Sequence, residues 1–324
     1  MEPVPHTAGS TSSGEIESPK PPEPALSSVS PGAGLTIYIA IEVLSITLLG
    51  AMPTELNGAY LTSSPFPWLM FLQEALLFGA ALLPAWLLAR FEHRPAGDYG
   101  LPLGELFGRR FWQGCLLGLA EVSLLVGSIA LFGGYRFGTL ALAGPGAVVA
   151  WLFFWFAFFL VVGLYEEFLF RGYVQFTLTR AVRFWPAAWI LSLGFGALHL
   201  MNSGENWVGV AGVAVAGLVF ALALRRTGNL WLAVGWHAAF DFGETFLYSV
   251  PNSGALLRGH LSNAHLEGPA WLTGGSVGPE GSVFSFLIMG ASALAIHLIF
   301  PQNRYRAGLP AAPVQRTSSE TSTS

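Results

Sequence analysis

Two adjacent carboxylates and an arginine are the first residues in this chain whose types and spacing could do chemistry. They lie in Tyr165-Glu166-Glu167-Phe168-Leu169-Phe170-Arg171-Gly172, directly after an almost unbroken apolar run from Ala147 to Leu164. Ionisable groups at membrane depth cost about 2.5–3.5 kcal/mol each on insertion scales, so three together approach about 10 kcal/mol before pairing. A sequence keeps such a cluster when the groups pair, face water or react. At 3.6 residues per turn, Glu166 and Glu167 point about 100° apart. Glu167 and Arg171 are four apart with the acid N-terminal, the favoured order for a helical ion pair. Glu167 is therefore expected to neutralise Arg171, leaving Glu166 to face another partner.

Later segments offer partners. His199 ends Phe195-Gly196-Ala197-Leu198-His199. His237 and Asp241 bracket His237-Ala238-Ala239-Phe240-Asp241, where the i,i+4 spacing stacks both on one helical face. Glu244 falls near the same face and receives no role from the sequence. These groups permit water activation: a carboxylate takes a proton from water and an imidazole orients it or shares the proton. A second imidazole and a side chain one turn on could stabilise the oxyanion of an attacked amide. Glu166, His199 and His237 could instead hold a divalent metal such as zinc, as in a metalloprotease. No His-Glu-x-x-His run is present, so both alternatives stay open.

The elements that must carry these residues are membrane helices. The 324 residues are 53% hydrophobic and only 10% charged, with 39 Gly and 11 Trp; soluble domains average about 25% charged. A formal charge of -4 gives no reason to expect nucleic acid as a partner. The single Cys115 excludes an intrachain disulfide and reads as a small buried residue. No apolar h-region opens the chain, so a cleavable signal peptide is not expected.

The composition predicts an all-α polytopic bundle of about eight transmembrane helices. The expected spans are Ala33–Ala51, Trp68–Ala89, Phe111–Phe132, Gly146–Tyr165, Trp185–Leu200, Trp207–Leu224, Leu230–Tyr248 and Ser282–Phe300. Polar, disordered tails are expected over 1–32 and 302–324, N-terminal spans over 33–145, a catalytic core over 146–248, an extracytoplasmic loop over 249–281 and a last helix over 282–301. Eight crossings with a cytoplasmic N-terminus put Lys20, Arg90, Arg94, Arg109, Arg110, Arg171, Arg180, Arg183, Arg225, Arg226, Arg304, Arg306 and Arg316 inside, and only Arg136 and Arg258 outside. That asymmetry follows the positive-inside rule and places both termini in the cytoplasm. An interfacial turn is expected at Asp98-Tyr99-Gly100-Leu101. His260 and His265 read as solvated loop residues, His297 as structural, and Glu42, Glu74 and Glu121 as isolated intramembrane acids hydrogen-bonded between helices or placed near the membrane interface.

The ordered trio Glu-Glu-x-x-x-Arg, Phe-x-x-x-His and His-x-x-x-Asn/Asp, each on its own span, resembles the CPBP intramembrane proteases, also called the type II CAAX prenyl endopeptidase or Abi family. The resemblance covers about Gly146–Tyr248. It implies Glu166 as the catalytic carboxylate, His199 sharing activation of the water, Glu167 and Arg171 as a supporting pair, and His237 with Asp241 as an oxyanion-stabilising or ligand pair. Phe195 would pack in the site wall. Eukaryotic prenyl proteases have Asn where this chain has Asp241. An anionic Asp cannot donate a hydrogen bond, so orienting His237 or binding metal becomes the alternative role.

The implied activity is a plasma-membrane endopeptidase acting on a membrane-bound, in some cases lipidated, protein or peptide substrate within the lipid bilayer. Competing readings are a non-catalytic immunity or scaffold protein and a proton- or metal-coupled transporter. The lack of a visible inverted repeat counts against the transporter.

Overall fold

The computed structural model describes residues 30–50, 66–305 and 307. The expected N-terminal tail before residue 30, most of the C-terminal tail, and Lys20, Arg306 and Arg316 lie outside the described residues.

The chain is an all-α bundle. In order it forms α1 (Pro31–Gly50), α2 (Trp68–Phe91), α3 (Arg109–Leu131), α4 (Pro145–Arg171), α5 (Tyr173–Val182), α6 (Phe184–His199), α7 (Trp207–Thr227), α8 (Trp231–Phe242), α9 (Ala270–Thr273) and α10 (Val283–Ile299). Among the described residues the β-structure amounts to isolated bridges and one antiparallel pair, β1 (Tyr135–Arg136) with β2 (His265–Leu266).

Each expected span coincides with a helix, but among the described residues five helical stretches are long and apolar enough to cross a membrane: Pro31–Leu49, Trp68–Phe91, Arg109–Leu131, Pro145–Val182 and Trp207–Thr227. The helices α6 and α10 have 16 and 17 residues. At about 1.5 Å per residue they fall short of a core about 30 Å thick.

Two boundaries differ from expectation. The fourth span does not stop at Tyr165: α4 runs on through Glu166, Glu167 and Arg171, because no breaker intervenes before Gly172 and the i,i+4 ion pair supports the last turn. Arg171 is accordingly buried inside the bundle rather than placed in a loop. After it comes α5, which the span count does not contain; its Tyr173, Val174 and Phe176 are buried against the core.

The helix that carries His237 is held by close backbone packing. A Cβ on Gly114 or Gly118 of α3 would run into the carbonyl oxygens of Leu232 and Trp236, and one on Gly235 of α8 into that of Phe111. This small-xxx-small contact lets α3 and α8 touch backbone to backbone. Gly163 of α4 approaches α8 from another side, at Val234 and Ala238. The α8 helix then widens into a π-helical turn, Gly243–Leu247, a feature frequent near functional sites.

The two ends of the bundle are built differently. At one end the connection after α2 forms the expected turn: Ala96–Tyr99 is a short 3-10 helix, Gly100 takes φ +109°, and its carbonyl accepts from Leu230 N–H at 2.8 Å. Trp231 Nε1 donates to the Pro102 carbonyl and Asn229 Nδ2 to Glu105. At the other end the connection before α10 folds over the bundle. Its Gly259 carbonyl accepts from Trp155 Nε1, and its Leu261 N–H donates to Phe246.

Candidate active site

The site begins with the ion pair foreseen on α4. Arg171 Nη1 donates to Glu167 Oε1 at 3.2 Å, and both side chains are essentially inaccessible. The same Oε1 lies 3.0 Å from His237 Nδ1. One carboxylate thus joins the guanidinium to an imidazole from α8, while its Oε2 finds no hydrogen-bond partner among the described residues. The guanidinium carbon also sits 4.4 Å from the Phe195 ring centroid, a cation–π contact that holds α6 against α4.

Since Nδ1 faces the Glu167 carboxylate, His237 presents Nε2 to the remaining acids. Glu166 Oε2 and Asp241 Oδ2 each lie 3.5 Å from it. Phe220 of α7 stacks on the imidazole, with centroids 5.4 Å apart and planes 16° from parallel. This stacking and the Glu167 contact set where Nε2 points.

His199 is set differently. Its Nδ1 is 2.9 Å from the Phe195 carbonyl oxygen. A carbonyl only accepts, so Nδ1 carries the hydrogen in this contact, which leaves Nε2 as the position for a lone pair. Phe195 stands edge-on to His199 at 4.8 Å, in the wall between the two histidines.

Glu166, His199, His237 and Asp241 all line one cavity of about 400 Å³, within the range of small-molecule and peptide sites. Most of its wall is apolar, including Met70, Phe158, Val213 and Met289. Among the described residues, no group of three or more His, Cys, Asp or Glu is disposed to hold a metal ion, so the zinc-type set of Glu166, His199 and His237 gains no support from the geometry.

Several cavity groups carried no signal in the sequence. Glu280, in a short 3-10 helix (Pro279–Gly281) just before α10, accepts from Ser253 N–H and Oγ at 2.9 and 3.0 Å and reaches the cavity beside His199 and Asp241. Burial, with Asp241 adding to it, pushes the Glu280 carboxyl up to about 7. Glu244, to which the sequence gives no role, is fully buried, and neither of its carboxyl oxygens has a hydrogen-bond partner among the described residues. Nothing in the spacing of Glu280 could have placed it here, since only the folding of the connection before α10 brings it in.

Of the isolated acids, Glu74 and Glu121 line the cavity, and Glu121 also accepts from Trp236 Nε1 at 2.6 Å. Glu42 is buried on α1. His297 accepts from Arg226 Nη2 at 2.6 Å. His260 donates to the Leu257 carbonyl, and His265 pairs with Glu267 at 2.9 Å.

In comparison with protein-family models, residues 148–243 match the one described as type II CAAX prenyl endopeptidase Rce1-like. No curated protein and no solved structure gave a match. The stretch that supplies Glu166, His199, His237 and Asp241 is thus similar to the Rce1-like proteases, in a chain whose long apolar helices mark an integral membrane protein.

Proposed function

We propose that this protein is a membrane-embedded endopeptidase of the plasma membrane, hydrolysing a peptide bond in a membrane-associated protein with water activated by Glu166. The observation that carries this reading is the convergence of three helices on one cavity, with Glu166, His199, His237 and Asp241 all in its lining and Glu166 Oε2 3.5 Å from His237 Nε2.

Glu166 takes one proton from a water whose oxygen attacks the scissile carbonyl carbon. His199 Nε2 orients that water through its lone pair. The C–O bond forms as the carbonyl π-bond opens, and a proton on His237 Nε2 gives the oxyanion a donor. Collapse re-forms the carbonyl and breaks the C–N bond. Glu166 returns its proton to the leaving amine, so the carboxylate is regenerated. Glu167 and Arg171 hold His237 from behind and touch no reacting atom. Asp241 orients Nε2 from the side.

The test compares membranes from cells making the wild-type protein or Glu166→Gln by mapping new peptide termini, with and without a chelator. Termini present only with the wild type, and unchanged by the chelator, are expected. Equal cleavage by Glu166→Gln would overturn the assignment, and loss of cleavage with chelator would overturn the metal-free chemistry alone.

A further inference from the structure

The cavity opens at one end of the bundle and ends on Glu166 and His237 inside it. Its rim is formed by the turn after α6 and the long connection before α10: Asn202, Ser203 and Ala255 are exposed and line it. Asn202 Nδ2 donates to the Ser253 carbonyl, so the two rim segments are tied together.

Beyond the site, toward the other end, the same helices are sealed. Tyr173 follows Glu166 by about two turns, and Leu230 and Trp231 precede His237 by about the same distance. With Tyr99, Phe111 and Phe168 they form one buried cluster, each 2% exposed or less. None of these six touches the cavity. Water and substrate therefore reach Glu166 from the rim.

Charge tells the ends apart. Among the described residues, every arginine other than the buried Arg171 lies at the sealed end, except Arg136 and Arg258. Those two belong to the connections after α3 and before α10, at the end that carries the rim. A bundle with this asymmetry inserts with its arginine-rich end in the cytoplasm.

We propose that the catalytic cavity opens to the extracytoplasmic face, so that its substrate is an apolar, membrane-adjacent segment presented from outside the cytoplasm. This rests on the endopeptidase reading for the word substrate, but the direction of opening does not. The apolar upper wall, with Met70, Phe158 and Met289, suits such a segment, and the acids and histidines wait at its deep end.

The experiment uses the full-length protein with Cys115→Ala, since the native thiol is buried in α3. Single cysteines are placed at the rim (Ser203→Cys, Ala255→Cys) and at the sealed end (Leu103→Cys, 81% exposed in the wild type). Right-side-out and inverted membrane vesicles are treated with a membrane-impermeant maleimide. The rim cysteines are expected to label in right-side-out vesicles and Leu103→Cys only in inverted ones. The reverse pattern overturns the proposal. Labelling needs no catalysis, so an inactive protein with the expected pattern would sink the endopeptidase reading and leave the orientation standing. Where termini depend on Glu166, they are expected in extracytoplasmic parts of membrane proteins; termini confined to cytoplasmic parts would overturn the substrate class.

Discussion

Glu167 Oε1 is shared by two basic side chains from different helices: Arg171 Nη1 at 3.2 Å and His237 Nδ1 at 3.0 Å. The local pair was set by spacing on α4, whereas the second partner is 70 residues away. This one atom couples the stability of α4 to the aim of the imidazole.

Breaking that pair from one side should be worse than removing it. Glu167→Gln or Arg171→Met alone leaves a buried charge uncompensated, at about 3–5 kcal/mol of lost stability. The double variant Glu167→Gln/Arg171→Met should lose less than the sum of the two, and less than the worse single variant. Thermal unfolding of the four proteins in detergent measures the coupling; strict additivity would show that the guanidinium finds its main support elsewhere.

His199 and Phe195 should separate by function. His199→Ala removes the Nε2 lone pair and should slow cleavage by about 10²–10⁴-fold with little change in folding. Phe195→Leu keeps the backbone carbonyl that accepts from Nδ1 but removes the ring packed on Arg171 and His199. It should retain most activity and lower thermal stability instead. Rate and melting temperature on each variant check the contrast.

The α3–α8 contact predicts a remote effect on the site. A Cβ at Gly118 collides with the carbonyl of Trp236, the residue before His237. Gly118→Val should therefore cost at least about 1–3 kcal/mol, the usual penalty of overpacking, and also displace His237 and depress the rate. On the same helix, Gly127 has nothing within 4 Å of an added Cβ, so Gly127→Ala should leave both measurements unchanged.

Glu280 gives the fold a pH signature. Its carboxyl rises from 4.5 to about 7 in the folded protein because burial and the nearby Asp241 disfavour its charge. The folded state then holds a proton that the unfolded chain has released, so this contribution to stability falls as pH climbs from about 4.5 through about 7. Glu280→Gln, which stays neutral and keeps an acceptor for Ser253, should flatten the fall. Melting temperatures at pH 5 and pH 8 for both proteins test this, and an unchanged slope in the variant would assign the proton to another group.

Much of the architecture was legible in one dimension because its causes are local. Apolar length set the helices, and four-residue spacing set the Glu167–Arg171 pair and the stacked His237 and Asp241. Gly172 ends α4, and the helix runs past the apolar span's limit at Tyr165 because charges paired within a helix need not end it. The amphipathic α5 was missed because it is too short and too polar to count as a span.

What tertiary structure alone decided is which atoms meet across helices. No periodicity brings Phe220 onto His237, Glu280 onto Ser253, or the rim to the arginine-poor end. Those contacts depend on glycines that let α3 and α8 close to backbone distance and on a connection of some thirty residues folding back over the bundle. Chain spacing fixes neighbours within about one helical turn; the relative rotation and depth of separate helices come from packing, and the site is made of that packing.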